Sequence, residues 1–139
     1  LQKLSGQKVE RSRQHYIRMK LPHTYRSLID HGITEDYSMG YGSINGFRAS
    51  ISRTFFWYDL EKEEKTNLKI FPFCYMDAMS IFEQKLNPTE TETELSYYKN
   101  IIMRSHGQMI AIWHNHFLTA EKEWLPWRKV FENFLESCR

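Results

Sequence analysis

Three short clusters carry the residue types that do chemistry: Arg13-Gln14-His15-Tyr16, Glu35-Asp36-Tyr37 and His114-Asn115-His116. A histidine such as His114 can act as general acid or base near neutral pH. Arg13 can fix a carboxylate with two parallel hydrogen bonds. Asp36 could orient a histidine or remain a surface acid. His114 and His116, two apart on a strand, would share one face. With an added acid they could begin a metal site, although two local ligands fall short of the three or four such a site needs. A single buried, hydrogen-bonded histidine followed by an ordinary polar loop accounts for the same residues without any chemistry.

The elements around the clusters make convergence worth testing. Gln108-Met109-Ile110-Ala111-Ile112-Trp113 follows a helix-terminating Gly107 and reads as a buried strand of a parallel sheet. Lys8 to Tyr16 and Ile33 to Ser38 read as two earlier strands, each ending in one of the other clusters. In a parallel sheet all C-terminal strand ends share one rim, so the three clusters could meet there. Between the strands, Leu21, Tyr25, Leu28 and Ile29 form an apolar helical stripe with Pro22 in its first turn, His31 at its negative end and Gly32 beyond it. Gly40 to Gly46 is a glycine-rich loop without the spacing of a phosphate-binding one. Phe47 to Ser52 and Thr54 to Leu60 read as short strands or an extended excursion, and Glu61 to Lys65 as a solvated turn.

Leu68 to Tyr75 is a further buried-type strand, after which Asp77 could cap a short helix over 78–84. Asn87-Pro88 with Glu90 three residues on predicts a capping box opening the longest helix, whose stripe is Leu95, Tyr98, Ile101 and Ile102. Trp124, Trp127, Val130, Phe131 and Phe134 line a last helix with Pro126 in its first turn; these aromatics read as core before ligand contacts. Leu1 to Ser5 reads as a helix tail closing on Gly6. His23, His31 and His106 read as surface or helix-end residues. The alternation of strand and helix predicts α/β with a largely parallel sheet.

A formal charge of +2 over 139 residues, with cations scattered among 17 acids, argues against nucleic acid as partner. Aromatic content of 15% suits a large-side-chain core or a cleft for flat ligands such as sugars. Cys74 and Cys138 form neither a metal-spaced pair nor a disulfide framework. No run approaches the roughly 20 apolar residues of a membrane span. The start Leu1-Gln2-Lys3-Leu4 lacks a methionine, so the expectation is a piece of a longer protein. Cytoplasmic and cell-envelope locations both stay open.

At these clusters the chain resembles the C-terminal half of the polysaccharide deacetylase family (the NodB-homology domain, carbohydrate esterase family four). Arg13-Gln14-His15-Tyr16 stands where the family has an Arg-Pro-Pro-Tyr type motif, and Ile112-Trp113-His114 where it has Leu-x-His. Asp36-Tyr37 loosely matches an intervening Asp-rich, aromatic motif. The run Leu21 to Ser52, with Thr24-Tyr25-Arg26, Asp36-Tyr37-Ser38-Met39-Gly40 and Gly46-Phe47-Arg48-Ala49, is similar to a branch of uncharacterised bacterial members.

The resemblance implies that residues 1–139 form a partial (β/α) barrel, about half of a distorted NodB-type barrel. It implies a hydrolase that removes acetyl groups from a glycan by metal-assisted hydrolysis. His114 would protonate the departing group, Arg13 would hold the catalytic-base aspartate, and the Tyr16 backbone N–H would help stabilise the oxyanion. Asp36 would tune His114. The divalent metal, zinc first among candidates, would be held by an Asp-Asp pair and a His-x-x-x-His motif upstream, and neither occurs in these residues. The expectation is therefore the acid half of a site, inactive alone, with an open sheet edge that a second copy could cover. Two rival readings stand beside it. One is a degenerate carbohydrate-binding domain without catalysis; the other is a self-contained hydrolase using His114, His116 and Asp36.

Overall fold

A computed structural model describes residues 2–139; Leu1, part of the expected helix tail, lies outside them. The chain runs α1 (Gln2–Ser5), β1 (Arg11–Ser12), α2 (His23–Asp30), β2 (Glu35–Asp36), β3 (Phe55–Asp59), β4 (Glu64–Ile70), β5 (Tyr75–Met76), α3 (Pro88–Ser105), β6 (Ala111–Ile112) and α4 (Leu125–Ser137). Tight helical turns follow β1 at His15–Ile17, β5 at Met79–Glu83 and β6 at Asn115–Leu118. The first sheet has four strands in the order β1-β2-β4-β3; β1, β2 and β4 are parallel, and β3 is antiparallel to β4. A second, two-stranded sheet pairs β5 with β6 in parallel. The chain is thus a mixture of helices and mostly parallel strands, and the larger sheet is open.

Two sequence expectations change at the seam between the sheets. Leu68 to Tyr75 is not one strand, because Pro72 brings no N–H to a ladder. Phe71 and Phe73 still donate to Asp36 and Met39, on the β2 side, but Cys74 donates to the Ile110 carbonyl, on the β6 side. Phe47 to Ser52 is not a strand either. Gly46 and Ser50 take positive φ values of 144° and 54°, which break any ladder, and Phe47 and Ala49 serve as packing residues instead.

The α2 stripe packs as expected at Tyr25, Leu28 and Ile29, against Trp57, Leu68 and Ile70 of the sheet. Leu21 stays exposed, since the helix starts at His23 and Pro22 stands just ahead of its first turn. Arg26 ties the helix to β3 through two bonds to the Asp59 carboxylate, at 2.7 and 2.8 Å. On the other side, Leu95 and Ile102 of α3 and Val130 of α4 pack with Cys74 and Tyr75. The capping box of α3 forms in both directions, Glu90 N–H to Asn87 Oδ1 at 3.0 Å and Asn87 N–H to Glu90 Oε2 at 2.7 Å. At its far end His106 takes the left-handed position (φ 50°), and the Gly107 N–H bonds back to Ile102. Gly107 answers to a different need: a Cβ there would lie 2.0 Å from Ser52 Oγ.

Candidate active site

Register brings the site together. Met76 and Ile112 are direct partners in a parallel pair, so β5 and β6 end level with one another. Just beyond those ends the Asp77 carboxylate meets His114. One oxygen accepts the His114 backbone N–H at 2.5 Å; the other contacts imidazole Nδ1 at 2.5 Å and accepts the Ala78 N–H at 2.7 Å. Asp77 is fully buried while the imidazole is 40% exposed. A buried carboxylate is stable only when its lone pairs are met by donors, and here three donors meet it. Because an ionised carboxylate can only accept, Nδ1 carries the hydrogen in this contact, which leaves Nε2 as the basic nitrogen. Among the described residues Nε2 has no hydrogen-bond partner.

Arg13 and Tyr16 reach the same place from β1. Arg13, Tyr16, Ile17, Met76, Ala78, Met79, Ile112 and His114 all line one cavity of about 460 Å³, within the usual range for a small-ligand pocket. Its floor is apolar: Met76 and Met79 pack with Phe73, Ile17 and Ile112. Arg13 Nε donates to the Tyr37 carbonyl at 3.2 Å, and its terminal nitrogens have no partner among the described residues. Burial lowers the guanidinium pKa, against the opposing pull of Asp36 and Tyr37. The turn that follows lacks the prolines of the resembling motif and winds left-handed instead, with φ of 56° at Tyr16 and 54° at Ile17. For a β-branched residue that conformation stores about 1–3 kcal/mol. The Tyr16 side chain is 78% exposed, and its backbone N–H has no partner among the described residues.

Asp36 does not orient His114. It stands in register with Ser12 and Ile70, on the side of the sheet that packs against α2. On β1 and β2 the odd-numbered positions take the other side, and Arg13 and Tyr37 continue that alternation. The fully buried Asp36 carboxylate accepts the Ser38 N–H at 2.9 Å and the Ser38 hydroxyl at 2.8 Å; Ser38 Oγ in turn accepts the Gln14 N–H at 2.8 Å. Burial pushes the Asp36 pKa up, countered by the Ser38 bonds, the nearby Tyr25 hydroxyl and the Arg13 charge. Asp36 thus braces the turn that carries Arg13, and Asp77, rather than the expected Asp36, stands by His114. The signal for Asp77 was its position directly after an apolar strand, the same signal that picked out His114.

The remaining histidines separate. His15 lines the cavity beside Tyr16. His31 Nδ1 lies 2.7 Å from the Ser27 carbonyl at the end of α2, the helix-end role expected of it. His116 is not on a strand, since β6 ends at Ile112; it sits in the following turn with its ring 3.8 Å from that of Phe117 and 5.8 Å from that of His114. Among the described residues no three His, Cys, Asp or Glu side chains gather as a metal site, and no helix is long and apolar enough to cross a membrane.

The arrangement can do two things chemically. The dyad can hand a proton to a leaving group from Nε2, and the cavity can hold an acyl group against its apolar floor while cationic and N–H donors meet developing negative charge. No family model matches the chain, and no curated protein or solved structure matches it.

Proposed function

We propose that the chain is a partial (β/α) barrel that supplies the acid half of a polysaccharide deacetylase-like hydrolase, acting in a longer protein on acetyl groups of a glycan. The observation that carries this reading is the Asp77–His114 pair opening onto the cavity that Arg13 and Tyr16 also line. His114, carrying a second proton on Nε2 as the imidazolium that Asp77 stabilises, gives that proton to the departing amine or alcohol as the acyl C–N or C–O bond of the water adduct breaks, and returns to the neutral ring with hydrogen on Nδ1. The Tyr16 N–H, without a partner among the described residues, donates to the oxyanion. The terminal nitrogens of the Arg13 guanidinium hold a carboxylate brought from outside these residues. Among the described residues no set of side chains fits the family's metal. The outer edges of β1 and β6, each with one ladder neighbour, are where the remaining strands or a second copy would add.

The test begins with the coding sequence upstream of Leu1, which should contain an Asp-Asp pair and a His-x-x-x-His motif. Protein extended through those motifs should release acetate from N-acetylated chitooligosaccharides. His114→Ala should reduce turnover about 10²- to 10⁴-fold with bound metal unchanged. Upstream sequence without the motifs, together with no acetate release, would remove the reading; glycan binding without hydrolysis would favour the non-catalytic carbohydrate-binding alternative.

A further inference from the structure

The cavity at His114 is divided in its chemistry. Arg13 and His114 bring hydrogen-bond donors to it, while Ile17, Met76, Ala78, Met79 and Ile112 line it with hydrocarbon and pack together with the buried Phe73. Register sets the two parts beside each other. Met76 directly precedes Asp77, and Ile112, its partner across the pair, stands two residues before His114. The proton donor therefore sits at the edge of the apolar floor. An acetyl group uses little of that floor. Its methyl is about the size of one water, whose share of liquid volume is roughly 30 Å³, against about 460 Å³ for the cavity. A sugar ring does not suit the remainder, because its hydroxyls would give up their bonds to water and find no partner among Met and Ile side chains. What suits it is hydrocarbon continuous with the acyl carbon beside His114. Two methionines, unbranched and able to repack, let such a floor fit chains of more than one length.

We propose that this floor takes the hydrocarbon chain of an acyl group several carbons longer than acetyl, so that the preferred substrate is an amino sugar carrying a fatty N-acyl chain. The inference rests on the hydrolase reading and deepens it by naming the acyl group. The reaction balances as before. Amide and water give fatty acid and amine: the oxygen of water joins the acyl carbon, the C–N bond breaks, and the amine leaves with the proton from His114. The polar and apolar parts of the cavity then match the two halves of one substrate, with the reacting bond at their boundary.

The experiment titrates the 139-residue chain with N-acetyl-, N-butyryl- and N-hexanoylglucosamine, followed by amide NMR shifts at Met76, Ala78 and Ile112. Each methylene that leaves water should tighten binding about fourfold, so the hexanoyl compound should bind at least about tenfold more tightly than the acetyl one. Ala78→Leu fills part of the floor and keeps the N–H that Asp77 accepts, and it should remove most of that gain. Met79→Gln, of similar length, should reduce the gain by putting an amide where hydrocarbon lay. Circular dichroism would check that both variants fold. Equal affinity across the three compounds, no binding of any of them, or a gain untouched in folded Ala78→Leu overturns the acyl site. Affinity that grows with chain length, with neither acetate nor hexanoate released by the extended protein, upholds the acyl site and removes the hydrolase reading. Acetate release with equal affinity across the series does the reverse.

Discussion

Asp36 and Asp77 invite comparison because each stands where a parallel strand ends, β2 for one and β5 for the other, and both carboxylates are fully buried. Their partners differ in kind. Asp36 is met by the Ser38 backbone and hydroxyl two residues away, a closed local loop that leaves nothing for a ligand. Asp77 is met by a residue 37 positions later whose other ring nitrogen stays available. The first arrangement braces a turn, and the second joins two strands and orients an imidazole. What separates structure from chemistry here is therefore not the burial of the acid but whether its partner keeps a free face.

The strongest way to break that distinction is to remove the Asp77 carboxylate. Asp77→Ala leaves the Ala78 and His114 N–H groups without their acceptor, at about 1–3 kcal/mol each, and should lower the urea midpoint accordingly. Asp77→Asn keeps an acceptor but cannot hold Nδ1–H in the same way, so acetate release by the extended protein should fall by orders of magnitude while the fold persists. If Asp77→Asn turned over at the parent rate, the dyad would be a packing feature like Asp36.

Gly40 tests the seam between the two regions. A Cβ at this position would sit 2.2 to 2.5 Å from the Phe73 ring, and Phe73 packs with Met76 and Met79, which line the cavity. Gly40→Ala must push that ring, at about 1–3 kcal/mol of stability, and should weaken glycan binding as the floor shifts. An unchanged melting curve would mean that the seam yields freely.

The capping box sharpens the contrast from outside the site. Asn87→Ala should cost about 1 kcal/mol, because it releases the Glu90 N–H at the start of α3. That helix packs on the β5–β6 side through Leu95 and Ile102. Hydrogen exchange should therefore quicken at Tyr75 and Ile112 before it does at Glu35 and Asp36. Equal acceleration everywhere would mean that the two sheets open as one unit.

Much of the local structure was legible because its causes are local. Asn87, Pro88 and Glu90 announce α3 within four residues, and the Tyr25, Leu28 and Ile29 stripe needs only helical spacing. The position of His114 at a strand end also follows from an apolar run that stops. What was hidden depends on register. No spacing tells that Asp36 shares its side of the sheet with Ser12 and Ile70, which turns it toward α2, or that Met76 and Ile112 align and so bring Asp77 to His114. Pro72 was visible, and its effect on an apparently continuous strand was readable in principle. The left-handed Tyr16 and Ile17 were not, since neither residue type favours that conformation.

The smallest expected effect is the most pointed one. Burial raises the Asp36 pKa above its ordinary value, so the folded state binds this proton more tightly than the unfolded chain does. The resulting stability is complete below the unfolded value and is lost as pH rises through the folded one. At neutral pH the ionised group is held at a cost that the Ser38 bonds and the Arg13 charge offset. Asp36→Asn keeps the carbonyl that accepts the Ser38 N–H and removes the ionisation. The variant should therefore gain stability relative to the parent as pH rises from the ordinary aspartate range, with turnover of the extended protein close to unchanged. Urea denaturation of both proteins from acid to neutral pH reads the difference. Curves that stay parallel would show that the Ser38 bonds and the Arg13 charge cancel the cost of burial; a variant that loses ground as pH rises would show that the negative charge itself is needed to hold Arg13, and Asp36 would then belong to the site in the same sense as Asp77.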